Sequence, residues 1–441
     1  MDLWPVDIRR FGRVHRNEAV VRERTLEAYG KHYTVAFPHE EYETARGLRV
    51  SPLYHRLKAQ GACFGSKLGW ERPNWFARDG EPRDIYSFGR QNWFDAVGIE
   101  HRAAREAVAL FDQSSFAKFL LTGGNAEAAL SWICANDVAK PPGTVIYTQM
   151  LNRRGGIECD LTVTRLAEDA YYIVTGTGFA THDFAWIARN IPDGLDARLI
   201  DVTSGYAVLS LMGPRSRAVL QAVTQDDVSN AAFPFGTCRT IDIAGASVRA
   251  LRLSYVGELG WELHVPAEAA PCVYDRLMAA GAAHGIVNAG YRAIESLRLE
   301  KAYRAWGSDI GPDFTPLEAS LGWAVKLKST AAFLGRDALI KQRSQTLARR
   351  FVGFSLADPT IVLLGRETIY RNGERVGWLS SGGWGYTVGL NIGFGYVRNE
   401  AGVSDDYLRG GTYELEVAAA RHQATLQLAP LYDPKMTRLK S

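Results

Sequence analysis

The five cysteines of this 441-residue sequence, Cys63, Cys134, Cys159, Cys238 and Cys272, include no C-x-x-C pair and are odd in number. A zinc ribbon and a disulfide framework are therefore excluded, and a reducing compartment is expected. The nine histidines form no H-x-H and no H-E-x-x-H, so no metal site is expected. No G-x-G-x-x-G follows a strand and no G-x-x-x-x-G-K-[ST] occurs, which removes the usual FAD, NAD and ATP loops from this chain. Charge of one sign is also missing: 51 basic against 48 acidic residues leave a formal +3, scattered rather than blocked. Neither nucleic acid nor an anionic membrane surface is an expected partner. The opening MDLWPVDIRRF lacks the apolar stretch of a signal peptide, and no apolar run is long enough to span a bilayer, so the cytoplasm is the expected location.

What remains is a chain with the balance of a globular protein, 46% hydrophobic and 22% charged. It is too long for one core and predicts two or three domains. Its 11 Trp, 19 Tyr and 18 Phe suit a protein that packs or binds flat rings. Residues 1–90 show little periodicity, and Gly61 to Ala77 reads as an irregular wrapped segment. HRAAREAVALFD (101–112) has helical spacing and Phe116 to Leu121 reads as a strand. Helices are expected at 125–135, 182–190, 214–223, 267–284 and 291–303, and strands at 158–164, 170–175, 206–211, 247–255 and 261–265. Mixed without strict alternation, they predict an α+β class rather than a doubly wound sheet. From about 350 to 430, short alternating stretches broken by Gly and Asn predict a small β-barrel. No internal repeat is visible.

Three segments carry candidate chemistry. In Arg154-Gly155-Gly156-Ile157-Glu158-Cys159-Asp160-Leu161-Thr162-Val163, a glycine turn leads into an alternating strand that carries Asp160 between Cys159 and Leu161. Asp160 is either a turn carboxylate or a partly buried one tuned for proton transfer. In Ser254-Tyr255-Val256-Gly257-Glu258-Leu259-Gly260-Trp261-Glu262-Leu263, the return strand puts Trp261, Leu263 and Val265 on one face and Glu262 with His264 on the other. A Glu there is either solvated or, if its face lines a cavity, able to accept two parallel hydrogen bonds from a heterocycle such as a pterin. Tyr255 is placed to stack on or close over such a ring. In the helix opening Gly290-Tyr291-Arg292, Arg292 either pairs with Glu295 at i, i+3 or points into a cleft to hold an anionic or carbonyl group.

The order G-G-I-x-x-D-L, Y-x-G-E-x-G-W-E, G-x-R with LRLE, TPLEASLGW and SSGG resembles the aminomethyltransferase family, which includes the T-protein of the glycine cleavage system. The resemblance covers roughly residues 95–430. It implies two α+β subdomains and a C-terminal β-barrel, a cloverleaf around a central tetrahydrofolate, with domains at 1–95, 96–330 and 331–441. DLWPVDIRRF, SPLYHRL, GWERPNWFA and YIVTGTGFATHD are more narrowly similar to the folate half of sarcosine and dimethylglycine dehydrogenases. In those enzymes an FAD domain precedes this half, and residues 1–95 resemble its residual tail and linker. The resemblance further implies that Asp160 is the acid–base residue, that Thr162 and the backbone near Val174 line the folate site, and that Tyr255, Glu262 and Arg292 bind folate. Where T-proteins commonly carry Val-Asn-Ala, this chain has Val174-Thr175-Gly176, so an amide contact is either lost or replaced.

Three activities follow as expectations. The first is a methyltransferase that moves a methyl group from an N-, S- or O-methylated small molecule to tetrahydrofolate. The second is a folate-charging subunit that receives its one-carbon unit from a separate flavoprotein dehydrogenase and makes 5,10-methylenetetrahydrofolate. The third, a non-catalytic folate binder of iron–sulfur assembly, is disfavoured because its Lys-Gly-Cys-Tyr-x-Gly-Gln-Glu motif is missing and Asp160 is present.

Overall fold

The computed structural model describes residues 3–441; Met1 and Asp2, at the head of the expected N-terminal segment, lie outside the described residues. A five-stranded antiparallel sheet is built from Ala117–Thr122, Val145–Leu151, Ile157–Ala167, Ala170–Thr175 and Arg198–Asp201. A six-stranded sheet combines Val108–Asp112, Tyr206–Met212, Cys238–Ile243, Ala246–Leu251, Gly260–Pro266 and Ile286–Ala289. Its last strand pairs parallel with Val108–Asp112, so the smaller sheet is nested between two neighbouring strands of the larger one. The expected barrel is present: Arg349–Leu356, Thr368–Arg371, Glu374–Gly385, Leu390–Arg398, Tyr413–Val417 and Ala420–Gln427 close on themselves.

Strand alternation decides which face of each sheet is dry. Along Ile157–Ala167, Cys159, Leu161 and Val163 join a core with Ala129, Leu130 and Ile133 of the helix Ala126–Ile133 and with Ile187 of Ala180–Asn190. On the six-stranded sheet, Trp261, Leu263 and Val265 pack with Val273, Tyr274 and Leu277 of the helix Ala270–Gly281. Because helices cover the apolar faces, the opposite faces keep Asp160, Thr162, Glu262 and His264. Each sheet thus supplies one polar wall.

A repeated unit escapes the sequence but not the backbone. Ala117–Thr122, Gly123 and the helix Ala126–Ile133 have a counterpart in Tyr206–Met212, Gly213 and the helix Ser216–Gln221. Both glycines have φ of 132°. A Cβ would lie 2.3 Å from the Asp196 carbonyl oxygen at Gly123 and 2.4 Å from that of Ala107 at Gly213, so no other residue fits.

Three expectations are corrected. Gly61 to Ala77 is no irregular segment: Ala62–Lys67 and Trp70–Phe76 pair as an antiparallel hairpin, and Leu53, Leu57, Ala62 and Phe76 share the core of the six-stranded sheet. Gly65 and Pro73 inside the two strands mask the pattern. HRAAREAVALFD is helical only to Glu106, where Phe94–Glu106 ends; Val108–Asp112 is a fully buried strand whose unbroken apolar run has no period to read. Arg292 does not pair with Glu295, whose carboxylate goes instead to Arg298.

The helices and the barrel are locked by a buried ion network. Arg105 Nη2 donates to Glu300 Oε2 at 2.9 Å and Nη1 to Glu258 Oε1 at 3.2 Å, with the guanidinium 4.0 Å from the Tyr432 ring centroid. Glu300 also accepts from the backbone N–H of Thr387 at 2.7 Å, on the barrel. Arg105→Met would strand two buried carboxylates, and we expect it to cost about 3–5 kcal/mol by denaturant unfolding. A loss below about 1 kcal/mol would show that the network is not needed for stability.

Candidate active site

The strand pairings set the first wall. Asp160 faces Gln149 and Thr162 faces Tyr147 across one ladder, and Thr162 faces Val174 across the next. Tyr147, Gln149, Asp160, Thr162 and Val174 therefore stand on one face, with Lys118 beside Val174. Tyr147 donates its hydroxyl to Asp160 Oδ1 at 2.5 Å and Gln149 Nε2 donates to the same oxygen at 3.1 Å. Both donors converge on Oδ1, and among the described residues Oδ2 receives no hydrogen bond. Burial raises the Asp160 pKa to about 6; the two donors oppose that rise, and the nearby Asp183 adds to it. Asp160 thus titrates close to neutrality with one oxygen free, as proton transfer requires.

Removing the Tyr147 donor tests this balance. Tyr147→Phe takes away a bond that favours the carboxylate, so the Asp160 pKa should rise. The acid limb of the pH–activity profile should then move to higher pH by about 0.5–1 unit. An unchanged or lower limb would detach that limb from Asp160.

The second wall comes from Gly260–Pro266. Glu262 is almost fully buried, yet among the described residues no hydrogen-bond donor reaches its carboxylate; His264 Nε2 stands 3.7 Å away. Desolvation alone raises its pKa to about 7. Neighbouring groups explain why nothing pairs with it. Burial, with Lys118 and Arg249 close by, keeps His264 well below its ordinary pKa and therefore neutral. His264 Nδ1 is 2.9 Å from the Tyr172 hydroxyl, a contact that joins the polar walls of the two sheets. An orphaned buried carboxylate is costly unless a ligand satisfies it.

Tyr255 lies in the loop between Ala246–Leu251 and Gly260–Pro266, so the expected hairpin has a long connection. Its hydroxyl donates to the Arg304 carbonyl at 2.8 Å and its ring stacks on Tyr303 at 5.8 Å. Asp160 contributes to the raised pKa of Tyr255, and Tyr255 to that of Tyr147, which places the three phenol and carboxyl groups within electrostatic reach. Arg292 is drawn elsewhere: its Nη2 donates to Asp84 Oδ2 at 3.0 Å and its guanidinium lies 3.4 Å from the Trp93 ring centroid. The SSGG segment has a positioning reason, since Ser380 and Ser381 both donate to Asp309 Oδ1, at 2.5 and 2.7 Å.

Tyr147, Gln149, His264 and Arg304 were not singled out in the sequence as site residues. Tyr147 and Gln149 sit at alternate positions of one strand, a signal that acquires meaning only once that strand is paired with Asp160. Cys159, His182 and Asp183 bring possible metal-ligand atoms within 4.8 Å of one another. His182 Nδ1 is already hydrogen-bonded to Asp183 at 2.8 Å and the Thr175 hydroxyl to the same carboxylate at 2.5 Å. Among the described residues no helix is long and apolar enough to cross a membrane.

Comparison with known proteins gives this geometry a lineage. Residues 53–329 match the GCVT N-terminal domain and residues 349–433 the glycine cleavage T-protein C-terminal barrel domain. Residues 1–51 match the central domain of FAD-dependent oxidoreductases. The chain is 41% identical to human mitochondrial sarcosine dehydrogenase over its whole length, and spans about half (52%) of that protein. It is 38% identical to an aminomethyltransferase of Halothermothrix orenii, covering 80% of this chain and 92% of that one. The crystal structure of the glycine cleavage system aminomethyltransferase T from Bartonella henselae superposes with a TM-score of 0.73 at 26% identity, covering 88% of this chain and 99% of that one. With both T-protein domains matched in order and the fold shared over 88% of its length, this chain belongs to the aminomethyltransferase family of the glycine cleavage T-protein.

Proposed function

We propose that the chain is a tetrahydrofolate-dependent one-carbon transferase that demethylates an N-, S- or O-methylated small molecule. The observation that carries this reading is the buried Glu262 carboxylate without a donor. The amide N–H and neighbouring amino group of a pterin are the paired donors such a carboxylate lacks. In this reading Glu262 and Tyr255 hold the pterin, with Thr162 and the backbone near Val174 lining the cavity. Arg292, whose guanidinium also pairs with Asp84, is the further folate-binding residue in this reading. Tetrahydrofolate, when bound, supplies the nitrogen that accepts the one-carbon unit. Asp160 orients that nitrogen through Oδ2 and takes its proton as the methyl–heteroatom bond of the donor breaks. The departing heteroatom keeps the bonding pair and, in a neutral donor, receives a proton. Tyr147 and Gln149 keep the carboxylate from turning. Holding two reactants in one water-poor cavity accounts for most of the acceleration, with acid–base help from Asp160.

A second reading is favoured by the match of residues 1–51 to a flavin-oxidoreductase domain. Here the one-carbon unit arrives from an FAD-dependent dehydrogenase, and the folate product is the methylene form. The five free cysteines favour a reducing compartment for either reading, the cytoplasm being our choice.

Anaerobic calorimetry with tetrahydrofolate, followed by incubation with methylated amines, betaines, sulfonium compounds and aryl methyl ethers, tests both readings. 5-Methyltetrahydrofolate formed from one donor, read by mass spectrometry, supports direct demethylation. Methylenetetrahydrofolate formed only after a flavoprotein dehydrogenase is added supports the second reading. Absence of folate binding sinks both.

A further inference from the structure

Arg304 is a half-buried cation with no carboxylate partner among the described residues. Its Nε donates to the Ala319 carbonyl at 3.0 Å and its Nη1 to the Ala302 carbonyl at 2.7 Å. Nη2 makes no hydrogen bond among the described residues, and no carboxylate comes within ion-pair distance. Neither acidic neighbour pairs with it. Asp309 is taken by Arg298 at 2.7 Å, by the backbone N–H of Ala305 at 3.0 Å, and by Ser380 and Ser381. Asp160 gives Oδ1 to Tyr147 and Gln149. Burial accordingly pushes the Arg304 pKa below its ordinary value, even with Tyr147, Asp309 and Asp160 pulling the other way.

The position of this charge is as telling as its isolation. Arg304 is among the charges that act on Asp160, and its carbonyl receives the Tyr255 hydroxyl. The two backbone carbonyls fix the plane of the guanidinium, and the Phe351 ring lies 4.8 Å from its central carbon. A fixed, half-satisfied guanidinium beside a reaction centre is preorganised for a planar anion, because its remaining N–H groups match the two oxygens of a carboxylate. Without one, the guanidinium is left to its two backbone carbonyls and to solvent.

We propose that Arg304 binds the carboxylate of a ligand lying against Asp160 and Tyr255, either an acidic one-carbon donor or the glutamyl tail of the folate. This rests on the folate reading above and adds to it the charge class of what fills the site. Arg304 is a ligand-binding residue with no part in proton transfer. A donor lacking a carboxylate leaves the cation unpaired and binds more weakly.

Calorimetry on the full chain separates the two sources. The first arm compares 5-formyltetrahydrofolate with 6-methyltetrahydropterin, which lacks the tail. The second, at saturating 5-formyltetrahydrofolate, compares N-methylglycine and 4-methylaminobutanoate with their carboxamides. The wild-type protein should prefer the acid by about 10–100-fold in one arm, which names the source. Arg304→Gln should abolish that preference while leaving the tail-less or amide ligand unaffected, and Arg304→Lys should keep part of it. Because the acid–amide comparison is made in the wild-type protein, it stands even if Arg304→Gln folds poorly. No preference in either arm, or a preference that survives in Arg304→Gln, overturns the proposal and leaves the folate reading intact. Failure of the wild-type protein to bind any pterin overturns both.

Discussion

Asp160→Asn should leave the protein folded and able to bind folate within about threefold, yet lower turnover by about 10²–10⁴-fold. Asn keeps an oxygen where Oδ1 stands, so the Tyr147 and Gln149 bonds survive. What disappears is the ability of the other oxygen to take a proton. The pH profile gives a second, independent reading. In the wild-type protein Asp160 must be ionised to accept a proton, and with its pKa raised to about 6 activity should climb through that pH. The residual rate of Asp160→Asn should show no such limb. A variant with at least a tenth of wild-type turnover and an unchanged profile would move the acid–base role to another residue. Asp183 would be examined next, as it is the acidic group named with Asp160 in the same electrostatic field.

Glu262→Gln should move affinity and stability in opposite directions. An amide presents one acceptor and one donor where the carboxylate presents two acceptors. One pterin N–H then meets another N–H, and folate affinity should fall about 100-fold. Stability changes the other way, by linkage. The folded-state pKa of about 7 lies above the ordinary 4.5, so the folded chain retains a proton that the unfolded chain has released. The group's contribution is complete below pH 4.5 and is lost as pH rises through 7. Removing the carboxylate should therefore matter little at pH 4 but raise the unfolding free energy at pH 8 by about 2 kcal/mol. Denaturant titrations at the two pH values check this. Equal stability of both proteins at pH 8, or folate affinity unaltered by the substitution, would mean that Glu262 is paired in solution by something other than ligand.

Single residues explain what the sequence disclosed and what it hid. Asp160 and Glu262 were legible because each interrupts an alternating strand next to a glycine turn, where period two assigns a face without any knowledge of partners. The barrel was legible from its short glycine-broken strands. Tyr147 and Gln149 were hidden because register alone brings them to Asp160, and register is a tertiary property. Val108–Asp112 was hidden because it is buried on both sides and its run Val108–Phe111 has no polar position to mark a period. Arg304 lies outside the named helices and strands, and it becomes notable only when no carboxylate proves to pair with it. Arg292 is read from its motif position as a folate contact, and what the sequence hides is its ion pair with Asp84, far off in the chain.

The nesting of one sheet inside the other sets an order of assembly during synthesis. The five strands between Ala117 and Asp201 are contiguous in the chain and need nothing downstream to pair, so this sheet can close while the ribosome is still working. Val108–Asp112, although made first, stays open along one edge until Ile286–Ala289 emerges to pair with it. For that interval a largely apolar strand waits with one edge unpaired. A newly made chain is therefore most exposed to aggregation and chaperone capture after its smaller sheet has formed and before residue 289 is released, a window set by translation rate rather than by the stability of the finished protein.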